Sequence, residues 1–246
     1  MRYAIISDIH SNLEALEAAL ELIDKERVDK ILCLGDIVGY NTNPNECAEI
    51  TRERGIKAIM GNHDRASCGM SEPDNFNEYA KEAVLWTREH ITKENSDYLK
   101  SFKEFFLLED KFLLVHGSPR NPDEYIFNAR SAGENLQYLE NNFKDASICF
   151  FGHTHVKALY CSQGKQGVVS DSEEGITFSG EETFLVNPGS VGQPRDGDKR
   201  GSFIIFDSEK RLIRFKAVSY DIEKTASKVI RAGLPVFLAE RLFVGW

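Results

Sequence analysis

Five short apolar runs in this chain each stop at a polar motif made of Gly, Asp, Asn and His, and this repeated stop most constrains what the chain can fold into. Tyr3 to Ser7 leads into Asp8-Ile9-His10, and Lys30 to Leu34 leads into Gly35-Asp36. Ile56 to Met60 leads into Gly61-Asn62-His63-Asp64, Phe112 to Val115 into His116-Gly117, and Ile148 to Phe151 into Gly152-His153-Thr154-His155. Apolar runs of this length bounded by turn residues read as buried strands. In open α/β sheets ligands bind at the carboxyl ends of strands, which is where the motifs fall. Five of the six histidines are therefore expected at one rim.

Helical patterns fill the intervals. Ser11 with Glu14 forms a capping box opening a helix from Asn12 to Glu26, with Leu13, Leu16, Leu20 and Ile23 as its buried stripe. Pro44, capped by Asn43, begins a second helix that stops at Gly55. Asn75 to His90 and Asn95 to Phe105 read as a helical pair inserted between two motif blocks, and Ser131 with Glu134 opens a helix to about Asn142. The stretch 161–182, rich in Gly, Ser, Gln and Glu, reads as a surface hairpin or mobile loop. Three late strands are expected at Thr183 to Val186, Ser202 to Asp207 and Leu212 to Val218, the last two joined by a turn at 208–211. Asp221 caps a helix to Ala232, and Gly233-Leu234-Pro235 breaks it before a final apolar helix from Val236 to Phe243. That apolar end, closing on Trp246, serves either as a lid on the chain's own core or as a homodimer contact. The pattern reads as one α/β domain over 1–246, with helices over 221–246 at its end.

Charge and cysteine usage exclude several classes. A net charge of −9 gives no broad electrostatic footprint for long nucleic acid. Cys33, Cys47, Cys68, Cys149 and Cys161 are odd in number and contain no Cys-x-x-Cys pair, which argues against a disulfide framework or a zinc knuckle. No basic stretch precedes an apolar signal core, and no window approaches the roughly 20 apolar residues needed to span a bilayer. A cytoplasmic location without membrane association is expected.

The residue types at the rim suit a pair of divalent cations. Two such ions about 3.5–4 Å apart can activate one water and clamp the oxygens of an in-line phosphoryl displacement. They need mixed oxygen and imidazole ligands. Asp8, His10, Asp36, Asn62, His116, His153 and His155 supply seven.

The five blocks, in this order, resemble the calcineurin-like metallophosphoesterase family, whose pattern is Asp-x-His, Gly-Asp, Gly-Asn-His-Asp/Glu, His-Gly and Gly-His-x-His. Twenty-five residues separate His10 from Asp36 and another 25 separate Asp36 from Asn62, close to the family's interval. Asn187-Pro-Gly-Ser-Val-Gly-Gln-Pro-Arg195 is similar to the small prokaryotic members, a branch associated with phosphodiesterases and with relatives of diadenosine tetraphosphatase. The resemblance implies a four-layer αββα sandwich of two mixed sheets flanked by helices. It implies one metal held by Asp8, His10, Asp36 and His155, a second held by Asp36, Asn62, His116 and His153, and attack on phosphorus by a hydroxide bridging the two. Manganese is the expected assay metal, with iron, zinc, nickel or cobalt as other occupants.

Beside the ligands, His63 is the expected general acid for the leaving alkoxide, with Asp64 holding its tautomer. Asn62, Arg65 and Arg195 are expected to contact substrate, and Arg120 less so, whereas His90 lies in a helical pattern without a motif. Many relatives read Gly-Asp-x-x-Asp where this chain reads Gly35-Asp36-Ile37-Val38-Gly39. The bridge is the first Asp, so the metal site is expected to survive, and the change bears on substrate class through the loop Gly39-Tyr40-Asn41. The expected activity is hydrolysis of a small or nucleotide-like phosphodiester. The alternatives are a phosphoprotein phosphatase and a scaffold that keeps the fold without the chemistry.

Overall fold

Alternate residues of each strand serve two different layers, and this builds a sandwich four layers deep. In the computed structural model, which describes residues 1–162, 175–178 and 182–246 and the backbone of 166–168, strand β1 spans Arg2–Ile6. Its Tyr3 and Ile5 face a second sheet, and its Ala4 and Ile6 face helices. The same split recurs in β5 (Phe112–Val115), where Phe112 and Leu114 point between the sheets while Leu113 and Val115 meet α6 (Ala129–Asn142). It recurs again in β11 (Gly201–Asp207), with Ile204 and Phe206 inward and Phe203 and Ile205 outward. Strands apolar on both faces are stable only when both faces are covered.

The first sheet runs β3 (Lys57–Ala58), β2 (Lys30–Cys33), β1, β11, β12 (Leu212–Val218), β9 (Ile176–Thr177). The second runs β4 (Phe105–Leu108), β5, β6 (Ile148–Phe150), β10 (Phe184–Pro188), β7 (Lys157–Cys161), β8 (Gln166–Val168). Both are mixed. β1, β2 and β3 are parallel, as are β5, β6 and β10, while the remaining pairs are antiparallel. Phe206 stands at the centre of the joint between the sheets, 4.9 Å from the Phe112 ring and 5.2 Å from that of Phe150. Each such side chain withdrawn from water contributes about 1.5–3 kcal/mol. The expected αββα architecture is the observed one.

On the outer face of the first sheet lie α1 (Leu13–Glu26) and α2 (Pro44–Glu53), with α5 (Lys93–Lys100) adding Leu99. A separate cluster joins α4 (Glu78–His90), α7 (Ile222–Arg231) and α8 (Val236–Glu240), whose Ala83, Val229 and Leu238 enclose Tyr40. The terminal segment thus docks Leu234, Leu238 and Leu242 into the chain and leaves Val236, Phe243, Val244 and Trp246 exposed. Among the described residues no helix is long and apolar enough to cross a membrane.

Several local expectations are corrected. α1 is capped by Asn12, whose side chain accepts from Ala15 N–H, because Ser11 is drawn away to accept from Gly39 N–H at 3.1 Å. α6 is capped by Asn128, and Ser131 closes that box from the third helical position instead of opening one with Glu134. Asn43 precedes Pro44 as expected, but its side chain accepts from no helical N–H: its Nδ2 donates to the Glu46 carboxylate and its Oδ1 accepts from Lys228 Nζ. The second helix of the inserted pair ends at Lys100, since Phe105 begins β4, a half-exposed edge strand whose apolar run Phe105–Leu108 the helical reading overran. β7 was also invisible in the sequence, following Gly-His-Thr-His with no turn signal. Of the stretch 161–182, residues 163–165, 169–174 and 179–181 lie outside the described residues, and β8 and β9 pair with β7 and β12 respectively.

Glu14 on α1 fastens α7. Its carboxylate accepts from Lys228 Nζ at 2.6 Å, and Lys224 Nζ lies 3.1 Å away. Burial opposes ionisation, yet these two lysines hold Glu14 below its usual value of 4.5. A carboxylate depressed in the folded state adds stability above its unfolded value and loses it as pH falls through the folded one. Melting temperatures of wild type and Glu14→Gln should therefore differ at pH 6–7 and converge as the pH drops below about 4. A difference that widens on acidification would contradict this linkage.

Candidate metal centre

Parallel strands from the two sheets end at one rim, and the loops leaving them carry the motif residues. Asp8, His10, Asp36, His153 and His155 all adopt left-handed backbone, with φ of 53°, 49°, 54°, 67° and 60°. A non-glycine residue held there costs about 1–3 kcal/mol, and such residues concentrate at functional sites. The glycines of the motifs have a different task. A Cβ on Gly61 would stand 2.1 Å from Asp36 Oδ1, and one on Gly152 would stand 2.1 Å from Ser7 Oγ and 2.9 Å from Asp8 Oδ2. The carboxylates and the glycine backbones therefore occupy space that no side chain could share.

All seven expected ligands converge and are buried. Ligand atoms of Asp8, His10, Asp36 and His155 form one group and those of Asp36, His116 and His153 a second, each within 4.8 Å, with Asp36 common to both. His63 N–H donates to Asp36 Oδ1 at 2.8 Å. The other oxygen, Oδ2, is buried without a hydrogen-bond partner, 3.5 Å from His10 Nε2 and 3.3 Å from His116 Nε2. Asn62 Oδ1 lies 3.0 Å from His116 Nε2.

Backbone carbonyls fix the tautomers. His10 Nδ1 lies 3.1 Å from Val38 O, His116 Nδ1 2.7 Å from Leu34 O, and His155 Nδ1 2.6 Å from Gln193 O. A carbonyl only accepts, so each Nδ1 carries the hydrogen, an arrangement that orients metal-ligating imidazoles. His10 Nε2 and His155 Nε2 then face each other 3.1 Å apart. Burial drives both rings well below the usual histidine value, so both are neutral and two lone pairs point at one place. His153 Nε2 is likewise buried and unpartnered, and burial together with the His116 charge lowers that ring to about 3. These residues fit divalent cations: unsatisfied imidazole nitrogens and an unsatisfied carboxylate oxygen converge at one buried place.

Electrostatics divides the carboxylates. Burial, with the Asp36 charge adding to it, raises Asp8 to about 7. Burial also opposes the Asp36 charge, but His116 and His63 overcome it and hold Asp36 well below the carboxylate range. Asp36 in turn raises His116 to about 9 against the effect of burial. The most strongly ionised oxygen is thus the one shared by both groups.

Asp64 does not hold His63. Its Oδ2 accepts from Asp36 N–H at 2.8 Å and Gly61 N–H at 3.1 Å, and its Oδ1 from Val38 N–H at 3.1 Å. It locks the loop carrying Asp36 against the start of α3 (Asn62–Ser67). His63 Nδ1 has no partner, and burial lowers the ring to about 4. Asp64→Asn keeps one acceptor oxygen but sets an NH2 donor against at least one of the three amide N–H groups, and should cost about 1–3 kcal/mol by thermal unfolding. Unchanged stability in that variant would exclude the locking role.

Arg65 lies at the site but is engaged, pairing with Asp123 and standing 3.9 Å from Glu104. Arg120 pairs with Glu124 and Glu134, and His90 stacks on Trp86, 3.8 Å between rings. Among the described residues Arg195 pairs with no carboxylate: its guanidinium donates to Tyr40 Oη at 3.1 Å and Gln193 Oε1 at 2.9 Å, and its Nε is buried without a partner. Ser190 Oγ supports Asp8 O at 2.8 Å, and Asn187 ties Gly152 O at 2.8 Å, so the loop 187–195 braces the ligands.

Sequence reasoning placed Tyr40 only within a loop bordering the site and missed two further aromatic side chains around the ligands, Phe76 and Tyr125. Tyr40 lies 4.6 Å from the His10 ring and 4.4 Å from His63, Phe76 lies 4.8 Å from His63, and Tyr125 stacks on His153 at 3.8 Å. Tyr40 sits next to Gly39, where the departure from the family pattern gave a signal; Phe76 and Tyr125 carry none. They line a cleft of about 510 Å³ together with Asn62, His63, Arg65 and His153.

Two buried Asp/His groups sharing one carboxylate, at the joint rim of a two-sheet sandwich, are consistent with a binuclear metal site. Residues 1–211 match the family described as the calcineurin-like phosphoesterase superfamily domain. The chain belongs to that superfamily. It is 39% identical over 249 residues to an uncharacterized protein of Methanocaldococcus jannaschii, covering 98% of this chain and 97% of that one. It is 40% identical to a metallophosphoesterase from Sphaerobacter thermophilus, covering 100% of this chain and 99% of that one with a TM-score of 0.86. A hypothetical protein from Pyrococcus horikoshii shares the fold at 22% identity, covering 100% of this chain and 98% of that one with a TM-score of 0.79.

Proposed function

We propose that this chain is a metal-dependent phosphoric-ester hydrolase whose substrates are small, nucleotide-like phosphodiesters. The observation that carries the reading is the pair of neutral imidazoles, His10 and His155, whose Nε2 lone pairs face each other 3.1 Å apart beside an unpartnered Asp36 Oδ2. Asp8, His10, Asp36 and His155 would hold one divalent cation and Asp36, Asn62, His116 and His153 the other. Such a pair, when bound, activates water and neutralises phosphoryl charge.

The chain's own residues do the rest. Gly61 and Gly152 let the carboxylates approach the rim, Asp64 fixes the Asp36 loop, and carbonyls of Val38, Leu34 and Gln193 aim the imidazoles. His63 lines the cleft as a neutral ring whose N–H is the donor to the leaving oxygen, in place of the Asp64-activated acid expected from sequence. Arg195 supplies a cation for a phosphoryl oxygen. Tyr40, Phe76 and Tyr125 give the cleft planar apolar walls, which suit an aromatic base beside the scissile phosphate.

The test is turnover of bis(nitrophenyl) phosphate by protein supplied in turn with manganese, iron, zinc, nickel and cobalt, with a phosphopeptide in parallel. Diester turnover that exceeds phosphopeptide turnover is expected. A preference for the phosphopeptide would make the chain a protein phosphatase, and metal binding without turnover of either would make it a scaffold.

A further inference from the structure

Arg241 lies outside the segment that matches the family, on a 3₁₀ turn after α8, yet its guanidinium carbon sits 5.9 Å from the centre of the Tyr40 ring. Arg195, from the loop after β10, sits 5.6 Å from the centre of the same ring. Tyr40 is 4% exposed and touches His10 and His63, so the two guanidiniums begin where the metal ligands end. Among the described residues no Asp or Glu side chain pairs with either arginine. Arg52, Arg54, Arg65, Arg88 and Arg120 each meet one. The nearest acidic residues in sequence to Arg195 are committed elsewhere, Asp196 and Asp198 to Lys157 and Asp198 also to Arg200. Arg195 and Arg241 meet at one ring beside the candidate ligands.

Arg241 Nε donates to the Trp246 backbone oxygen, and the guanidinium carbon lies 5.4 Å from the centre of the Phe237 ring. Burial and repulsion from Arg195 push Arg241 down to about 10. Arg195 keeps a buried Nε without an acceptor. Guanidinium groups with free donors form strong bidentate bonds to phosphate oxygens.

We infer that Arg241 and Arg195, stacked about Tyr40, form a second anion subsite, and that the substrate carries a second phosphoryl group beyond the one attacked. The inference rests on the phosphoesterase reading of the metal centre. The scissile phosphate lies over the ligands and the second phosphoryl group across Tyr40 from it. The C-terminal segment, fastened through α7 to Glu14, acts as the carrier of this specificity.

Thymidine 5′-phosphate and thymidine 3′,5′-bisphosphate are the probes. Their affinities are measured by calorimetry on manganese-loaded protein and on protein stripped of metal, for wild type, Arg241→Gln and Arg241→Lys. The wild-type protein should favour the bisphosphate by about tenfold or more, Arg241→Gln should erase that preference, and Arg241→Lys should retain part of it. Equal affinities in the wild type, or equal losses for both probes in Arg241→Gln, would overturn the subsite and leave Arg241 a packing residue. Turnover of bis(nitrophenyl) phosphate on the same preparations tests the enzymatic reading separately: its absence would overturn that reading while the binding comparison still decides the subsite.

Discussion

Asp36→Ala is expected to lower phosphodiester turnover on the order of 10³-fold or more, because a metal centre brings the pKa of water from 15.7 to about 7 and this residue is common to both ligand groups. Its Oδ2 stands between His10 and His116, and its Oδ1 is held by the His63 amide, so no neighbour can take its place. The variant also removes the charge that raises His116, leaving that ring easier to deprotonate but without its carboxylate partner. Elemental analysis should show reduced occupancy of both positions, where loss of a ligand belonging to one group alone, such as His155→Ala, should spare the other. A fully active Asp36→Ala protein, or one that retains two metals, would remove the shared-carboxylate assignment.

The second large effect separates His63 from the ligands. His63→Ala should keep its metals, since no ligand group includes His63, yet lose about 10²-fold in turnover of an alkyl phosphodiester. Nitrophenolate needs little help from a hydrogen-bond donor, so the loss toward a nitrophenyl ester should be much smaller. His116→Ala should instead depress both substrates together, because it damages the metal site. If His63→Ala loses both leaving groups equally with metals in place, the donor to the leaving oxygen is another residue.

The candidate ligands that converge at the rim were legible in the sequence because each belongs to a short motif placed directly after a strand, and short-range order is what sequence patterns report. The architecture was legible through the same motifs, whose order resembles a family with a known fold. Hydrophobic periodicity alone reached only α/β: Ala4 and Tyr3 are both apolar neighbours, and nothing local says that one faces a helix and the other a second sheet. Asp64 shows the opposite failure. Its position beside His63 suggested a partner, but α3 turns its carboxylate back onto two amides of the neighbouring loop, Asp36 and Val38, and onto that of Gly61 at its own start.

What the sequence by itself determined is therefore the chemistry of the rim: which residue types occur there, in which order, and that each follows a strand. Only the tertiary structure decided which atoms face one another. The 3.1 Å approach of His10 to His155 spans 145 residues of chain, and the meeting of Tyr40 with Arg195 spans 155. Such pairs are set by how two sheets and a terminal helical segment pack, and packing depends on complementary faces that are distant in sequence. Arg241 is the clearest case, an arginine in an apolar tail with no motif around it, brought to Tyr40 by the burial of Leu234, Leu238 and Leu242.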